Sequence, residues 1–162
     1  MDHSSDGMSE NRVLKLKGTV EKFPMGKALF SYLLARAAPY FKTIRPQVVE
    51  LQPNVIKVSM NQRRSVENHL GTIHAIATCN LCEFAAGICM EASIPAHRRW
   101  IPTGMTVTYL HKAKSHLTAT CDLSFVDWEV CEEVVCPVTV IDVNDVAVVQ
   151  ALITMKVSNR KK

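Results

Sequence analysis

The stretch from Asn68 to Glu91 constrains this chain more than any other. A polar lead-in, Asn-His-Leu-Gly-Thr-Ile-His, gives way to a run from Ala75 to Ala92 that is almost wholly apolar, broken mainly by Thr78, Asn80, Glu83 and Glu91. A helix that is apolar on every side must be buried on every side. Glu83 falls near the middle of that run, and a buried carboxylate is costly unless it is paired or protonated. Either something holds it, with Asn80 one turn earlier or a basic group from another strand as the candidates, or chemistry uses it. The run is about as long as a membrane span. Asn80, Glu83 and Gly87 within it, and its place between strand-like segments, favour a core helix, so no membrane is expected.

At 162 residues the chain is expected to form one domain with a sizeable core. A net charge of +4, with no Lys/Arg block interleaved with aromatics, gives no case for nucleic acid. No basic-then-apolar leader is visible at the N-terminus, so cytoplasmic localisation and reduced thiols are the expectation for Cys79, Cys82, Cys89, Cys121, Cys131 and Cys136. Cys79 and Cys82 form a C-x-x-C, but no second Cys or His pair stands near it in sequence. The reading is therefore no metal and small buried residues.

Residues 1–12 are polar and expected to be disordered, leaving 13–162 as the domain. Within it, Leu29, Phe30, Leu33, Leu34 and Ala37 follow helical spacing and predict a short helix over 27–38. Val48–Leu51 and Val55–Val58 flank Pro53-Asn54 and predict a hairpin. The central helix is expected at 74–92. Four strand-like runs follow: Trp100–Lys112, Leu117–Val126, Cys131–Val140 and Val146–Val157. Strands in hairpin succession around one helix make an α+β domain with an antiparallel sheet of five to six strands. One such sheet cannot cover an all-apolar helix completely, and a symmetric partner is the simplest further cover.

This layout and these residues resemble the hotdog-fold acyl-CoA thioesterases, most closely the phenylacetate-degradation-type branch and its less characterised relatives. In that family an Asn-x-x-Gly-x-x-His lead-in opens the central helix, and an acid follows nine residues after the His. Here the corresponding residues are Asn68, Gly71, His74 and Glu83. The run Tyr109-Leu110-His111-Lys112-Ala113-Lys114-Ser115-His116-Leu117-Thr118-Ala119 looks like the family's third-to-fourth strand hairpin. The resemblance spans roughly Val48–Val157. Two departures stand beside the site: Ala75 and Ile76 replace two common glycines, and Phe84 replaces a common Thr or Ser.

The resemblance implies a curved sheet wrapped around the helix and hydrolysis of an acyl-CoA-like thioester. It gives the Ala75 backbone N–H the task of polarising the carbonyl, and Glu83 that of activating water or attacking the carbonyl. Asn68 would hold a water or the thioester oxygen, and His74 the loop or the thioester. The bland readings are a turn residue for Asn68, a helix-start residue for His74 and Ala75, and a solvated loop residue for His69. Eight residues separate Ala75 from Glu83, about 12 Å along a helix, whereas reacting groups must approach within about 3–3.5 Å. Two antiparallel helices across a dimer axis would meet that need, so a homodimer or dimer of dimers with interface sites is expected. No cofactor is expected beyond the CoA thioester as substrate. Arg98, Arg99, Lys112 and Lys114 are the candidates for its phosphates, against a bland reading as solvated charge. The rival functions are a non-catalytic acyl-CoA or acyl-carrier binding protein and, less favoured, a hotdog acyl dehydratase.

Overall fold

The computed structural model describes residues 11–160. Most of the segment expected to be disordered therefore lies outside the described residues, but its last two positions depart from the expectation. Asn11 caps a helix, α1 (Arg12–Val20), accepting at Oδ1 from Val13 N at 3.0 Å and Leu14 N at 3.2 Å. Val13, Leu14 and Leu16 pack on the core through this helix. Lys15, Lys17 and Gly18 dilute its apolar pattern, which is why spacing alone does not reveal it.

Helix α2 spans Gly26–Ala37 and buries Phe30, Leu34 and Ala35. Its start presses against the end of α1, where a Cβ on Gly26 would stand 2.2 Å from the Val20 carbonyl oxygen. A 3-10 segment, Pro39–Thr43, follows, and Phe41 meets Phe84 edge-on with ring centres 5.1 Å apart. Strands β1 (Gln47–Gln52) and β2 (Val55–Met60) form the expected hairpin, turning at Asn54 with φ +69°. After the central helix α3 (Ala75–Ser93) come β3 (Arg98–Tyr109), β4 (Leu117–Asp122), β5 (Glu133–Ile141) and β6 (Ala147–Asn159).

All six strands join one antiparallel sheet in the order β1-β2-β4-β5-β6-β3. Period-two patterning places Val134, Cys136, Val138 and Val140 of β5 inward, where they share one core with Leu81, Phe84, Ala85, Cys89 and Met90 of α3. This long helix against a six-stranded antiparallel sheet is the hotdog arrangement.

Two expectations need correcting. Tyr109–Ala119 is not a hairpin: β3 lies at one edge beside β6, while β4 sits between β2 and β5, so this segment crosses over between distant strands. Nor is α3 buried on every side. Ile76 is 55% exposed, and Cys79 and Glu83, three and seven residues on, are only partly covered. The bare helical stripe lies on the same side of the protomer as Tyr109 of β3, whose hydroxyl is 3.1 Å from Cys79 Sγ. The outer edge of β3, twelve residues long, pairs with no strand among the described residues.

Candidate functional site

The loop before α3 is built by Asn68. Its Oδ1 accepts from Leu70 N (2.9 Å) and Thr72 N (3.2 Å), and its Nδ2 donates to Thr72 Oγ1 (2.9 Å). Its backbone N–H donates to Thr72 O at 2.8 Å. Gly71 takes φ +70°, a left-handed conformation that favours glycine. These two residues hold the loop's shape. The Asn68 oxygen is fully engaged, leaving one Nδ2 hydrogen for anything else.

His74 is the N-cap of α3, in extended conformation at φ −65°, ψ 138°. Its Nδ1 accepts from Ile76 N at 3.0 Å, which puts the ring proton on Nε2. Its carbonyl accepts from Ala77 N (2.9 Å) and Thr78 N (3.2 Å). The first turn of a helix leaves N–H groups without intrahelical partners. One residue has thus occupied those of Ile76, Ala77 and Thr78. The Ala75 N–H meets no acceptor among the described residues. It stands at the positive end of the helix dipole, where an anionic oxygen is favoured.

Two turns on, Glu83 is half-buried, and no hydrogen bond or ion pair to it is found among the described residues. It is neither a deeply buried acid nor tied to Asn80. The Asn80 Nδ2 instead donates to Thr43 Oγ1 at 3.1 Å. Glu83 shares its outward stripe with Ile76 and Cys79. The Cys79–Tyr109 hydrogen bond, helped by burial, pushes the Tyr109 hydroxyl up to about 12. Burial, helped by Cys79, pushes the Cys82 thiol to about 12 as well. Both groups stay protonated at neutral pH. Among the described residues no three His, Cys, Asp or Glu side chains gather as a metal would require.

The four basic residues singled out for phosphate do not converge in one protomer. Arg98 is buried at 7% exposure, and its guanidinium donates to the Trp128 and Cys131 carbonyls. It anchors the β4–β5 connection and is not a solvent-facing charge. Arg99 is exposed, with Nε on Ser158 Oγ at 3.2 Å. Lys112 and Lys114 flank Ala113, whose carbonyl accepts from Ile73 N, so they sit at the start of α3. Arg99 lies at the far end of β3, roughly 30 Å away for ten extended residues.

Sequence reasoning missed a recess of about 230 Å³ beside the first turns of α3, lined by Tyr40, Thr43, Ile44, Val66, Ile76 and Asn80 among others. Its outer wall, the 3-10 segment, is fixed by Arg63, which donates to the carbonyls of Thr43 (2.5 Å) and Ile44 (3.0 Å). The only sequence signal for it is Asn80, an amide inside an apolar run.

The family model for the domain of unknown function DUF4442 matches residues 26–157. The structural-genomics target APC5556 is 44% identical and superposes with a TM-score of 0.82, over 91% of this chain and 99% of its own. A protein of unknown function from Pseudomonas aeruginosa, PA5026, described as a probable thioesterase, is 18% identical with a TM-score of 0.72, over 85% of this chain and 97% of its own. The Haemophilus influenzae thioesterase HI1161 is 12% identical with a TM-score of 0.69, over 78% of this chain and 88% of its own. These last two share the fold. No curated protein matches the chain.

Proposed function

We propose that this chain, which belongs to the DUF4442 family, hydrolyses an acyl-CoA-like thioester at a site completed by a second copy of itself. The observation that carries the reading is an N–H at the start of α3 that no acceptor among the described residues claims, on the same helix as an acid that none of them pairs. His74 satisfies its neighbours and leaves the Ala75 N–H to donate to a developing oxyanion. Glu83 removes a proton from water as the oxygen adds to the thioester carbon. The tetrahedral intermediate then expels the thiolate, which takes the proton back from Glu83. His74 positions this site through its cap, and its Nε2–H meets no acceptor among the described residues.

One helix cannot present both groups to one carbonyl, for the reason of length given above. A homodimer, alone or within a dimer of dimers, supplies the second group. The stripe of Ile76, Cys79 and Glu83 and the bare edge of β3 support that reading, since long unpaired edges are seldom left open. Antiparallel pairing of two such edges would also bring Arg99 of one chain towards Lys112 and Lys114 of the other, joining charges that one protomer keeps apart. These three are the groups proposed for CoA phosphate.

The test is release of thiol from a panel of acyl-CoA substrates, with wild type against Glu83→Gln. Turnover lost with the fold intact supports the assignment, and turnover unchanged in Glu83→Gln overturns it. A non-catalytic thioester-binding protein is the second reading. It is favoured by Phe84, which is fully buried against Phe41 and offers no hydroxyl beside the acid. Tight binding of acyl-CoA without turnover would establish it.

A further inference from the structure

We infer that the face formed by the α1–α2 turn and the outer side of α2 docks on an anionic membrane surface. Docking of this kind is independent of thioester chemistry. It departs from the expectation of no membrane, which concerns α3 as a span, whereas a helix lying in the bilayer interface crosses nothing.

The apolar part of the face is a patch. Met25, Leu29, Tyr32 and Arg36 recur four, three and four residues apart and so form one helical stripe. It lies opposite Phe30 and Leu34, which α2 buries. Met25 is 82% exposed, Phe23 63%, Tyr32 52% and Leu29 47%. Apolar residues scattered singly over a surface need no explanation, but four on one turn and one stripe mark a contact. The turn is built to show them. Phe23 N donates to Val20 O at 3.1 Å, and Gly26 N to Phe23 O at 2.9 Å. Met25 takes φ +62°, a left-handed conformation that is sterically costly for a residue with a Cβ. Held this tightly, Phe23 and Met25 stand at the tip.

The charge around the patch names the occupant. Residues 12–49 hold eight Lys or Arg and one acid, Glu21, a net of +7, while the whole chain carries +4. Glu21 is itself paired with Lys17 at 3.5 Å. Four of the cations border the apolar residues. Lys22 precedes Phe23, Arg36 ends the stripe, and Lys42 Nζ lies 5.9 Å from the centre of the Tyr32 ring. Lys42 and Arg45 also share with Tyr32 a recess of about 310 Å³ whose apolar lining is Ala28, Ala35 and Pro46. All four cations are exposed, and none pairs with an acid among the described residues. Basic residues beside exposed aromatic and aliphatic ones match anionic headgroups beside acyl chains.

A second copy fits this face poorly. A two-fold contact sets a face against itself, and here it would oppose two layers of like charge. The pairing proposed above is made elsewhere. Helix α2 rests on β1, where Ser31 Oγ accepts from Val48 N at 2.8 Å. Strands β1 and β3 are the two ends of the sheet, five strand spacings or about 24 Å apart along it.

The full-length protein is sedimented with vesicles of phosphatidylcholine alone and with vesicles carrying about 30% phosphatidylserine, and binding should be about 10- to 100-fold tighter to the second. Raised salt should weaken it. The triple variant Lys22→Glu, Arg36→Glu, Lys42→Glu should lose the preference, and Phe23→Ser with Met25→Ser should bind about tenfold or more weakly, each with the melting temperature of wild type. Phe23→Trp should shift its emission to the blue with the anionic vesicles only. No binding, equal binding to both vesicles, or binding unchanged in either variant overturns the inference. So does a lipid-free oligomer that dissociates in Phe23→Ser with Met25→Ser, which would show that a second copy covers the face. The wild-type comparison and Phe23→Trp decide the matter even where the multiple variants do not fold. Thiol release is not read, so failure of docking leaves the thioesterase reading standing.

Discussion

Replacing Ala75 by proline removes one hydrogen and almost nothing else. Position 75 is the first helical residue, where proline is favoured because its missing N–H has no intrahelical acceptor and its fixed φ suits a helix. His74 already has the extended conformation that a residue before proline prefers. The Ala75 N–H makes no bond within the described residues, so the fold loses none. Stability should hold within about 1 kcal/mol and rise if the loss of unfolded-state freedom dominates. Catalysis should respond differently. Removing one donor from an oxyanion site costs about 10²–10³ in kcat, roughly 3–4 kcal/mol. The assay is kcat by thiol release on the best acyl-CoA, alongside melting temperature and far-UV circular dichroism. Ala75→Val, which adds comparable bulk and keeps the N–H, is the control and should lose far less. A folded Ala75→Pro protein with wild-type kcat would refute the assignment of the oxyanion donor, and equal losses in both variants would show that bulk is responsible.

Four other outcomes are expected. Inactive Glu83→Gln chains mixed with Ala75→Pro chains should regain part of the activity, because a mixed dimer rebuilds one intact site; no recovery under exchange conditions counts against a shared site. Sedimentation at assay concentration should give at least a dimer, and a fully active monomer would exclude the interface. Stability should fall as pH rises from about 9 to about 12: the folded state keeps the Cys82 proton through a window in which the unfolded chain loses it, a contribution of up to roughly 4 kcal/mol that is whole below pH 9. Urea midpoints measured across that range should flatten in Cys82→Ala. Gly26→Ala should destabilise by about 2 kcal/mol or more, despite alanine's helix preference, since the new methyl would meet backbone at 2.2 Å; an unchanged midpoint would show that α1 can move away.

What the sequence disclosed follows what is local. The apolar run of α3 and the alternation of β5 are periodic, and periodicity reads directly as helix and strand. Spacing likewise shows that Ala75 and Glu83 cannot serve one carbonyl from one chain. Partners distant in sequence are not legible. Arg98 reads as a surface charge until its guanidinium is seen on carbonyls thirty residues on. Asn80 reads as a neighbour for Glu83, at i+3, until a threonine thirty-seven residues earlier takes its amide. The order of the strands is hidden for the same reason: nothing in the run after Tyr109 says that the chain crosses the sheet instead of turning back.

That crossing has a consequence for how the molecule is made. Among the described residues strand β3 has one neighbour, β6, the last of the described strands in chain order, and the two register along β3 from Arg98 to Tyr109. During synthesis β3 therefore waits for about fifty more residues, roughly 3–10 s at ordinary rates of elongation. Both its edges are open through that interval, and Ile101, Met105 and Tyr109, exposed even afterwards, are in reach of other nascent chains. Pairings this remote also slow refolding. The vulnerable interval in this protein's life is thus set by strand order, and β6 is the piece whose arrival ends it.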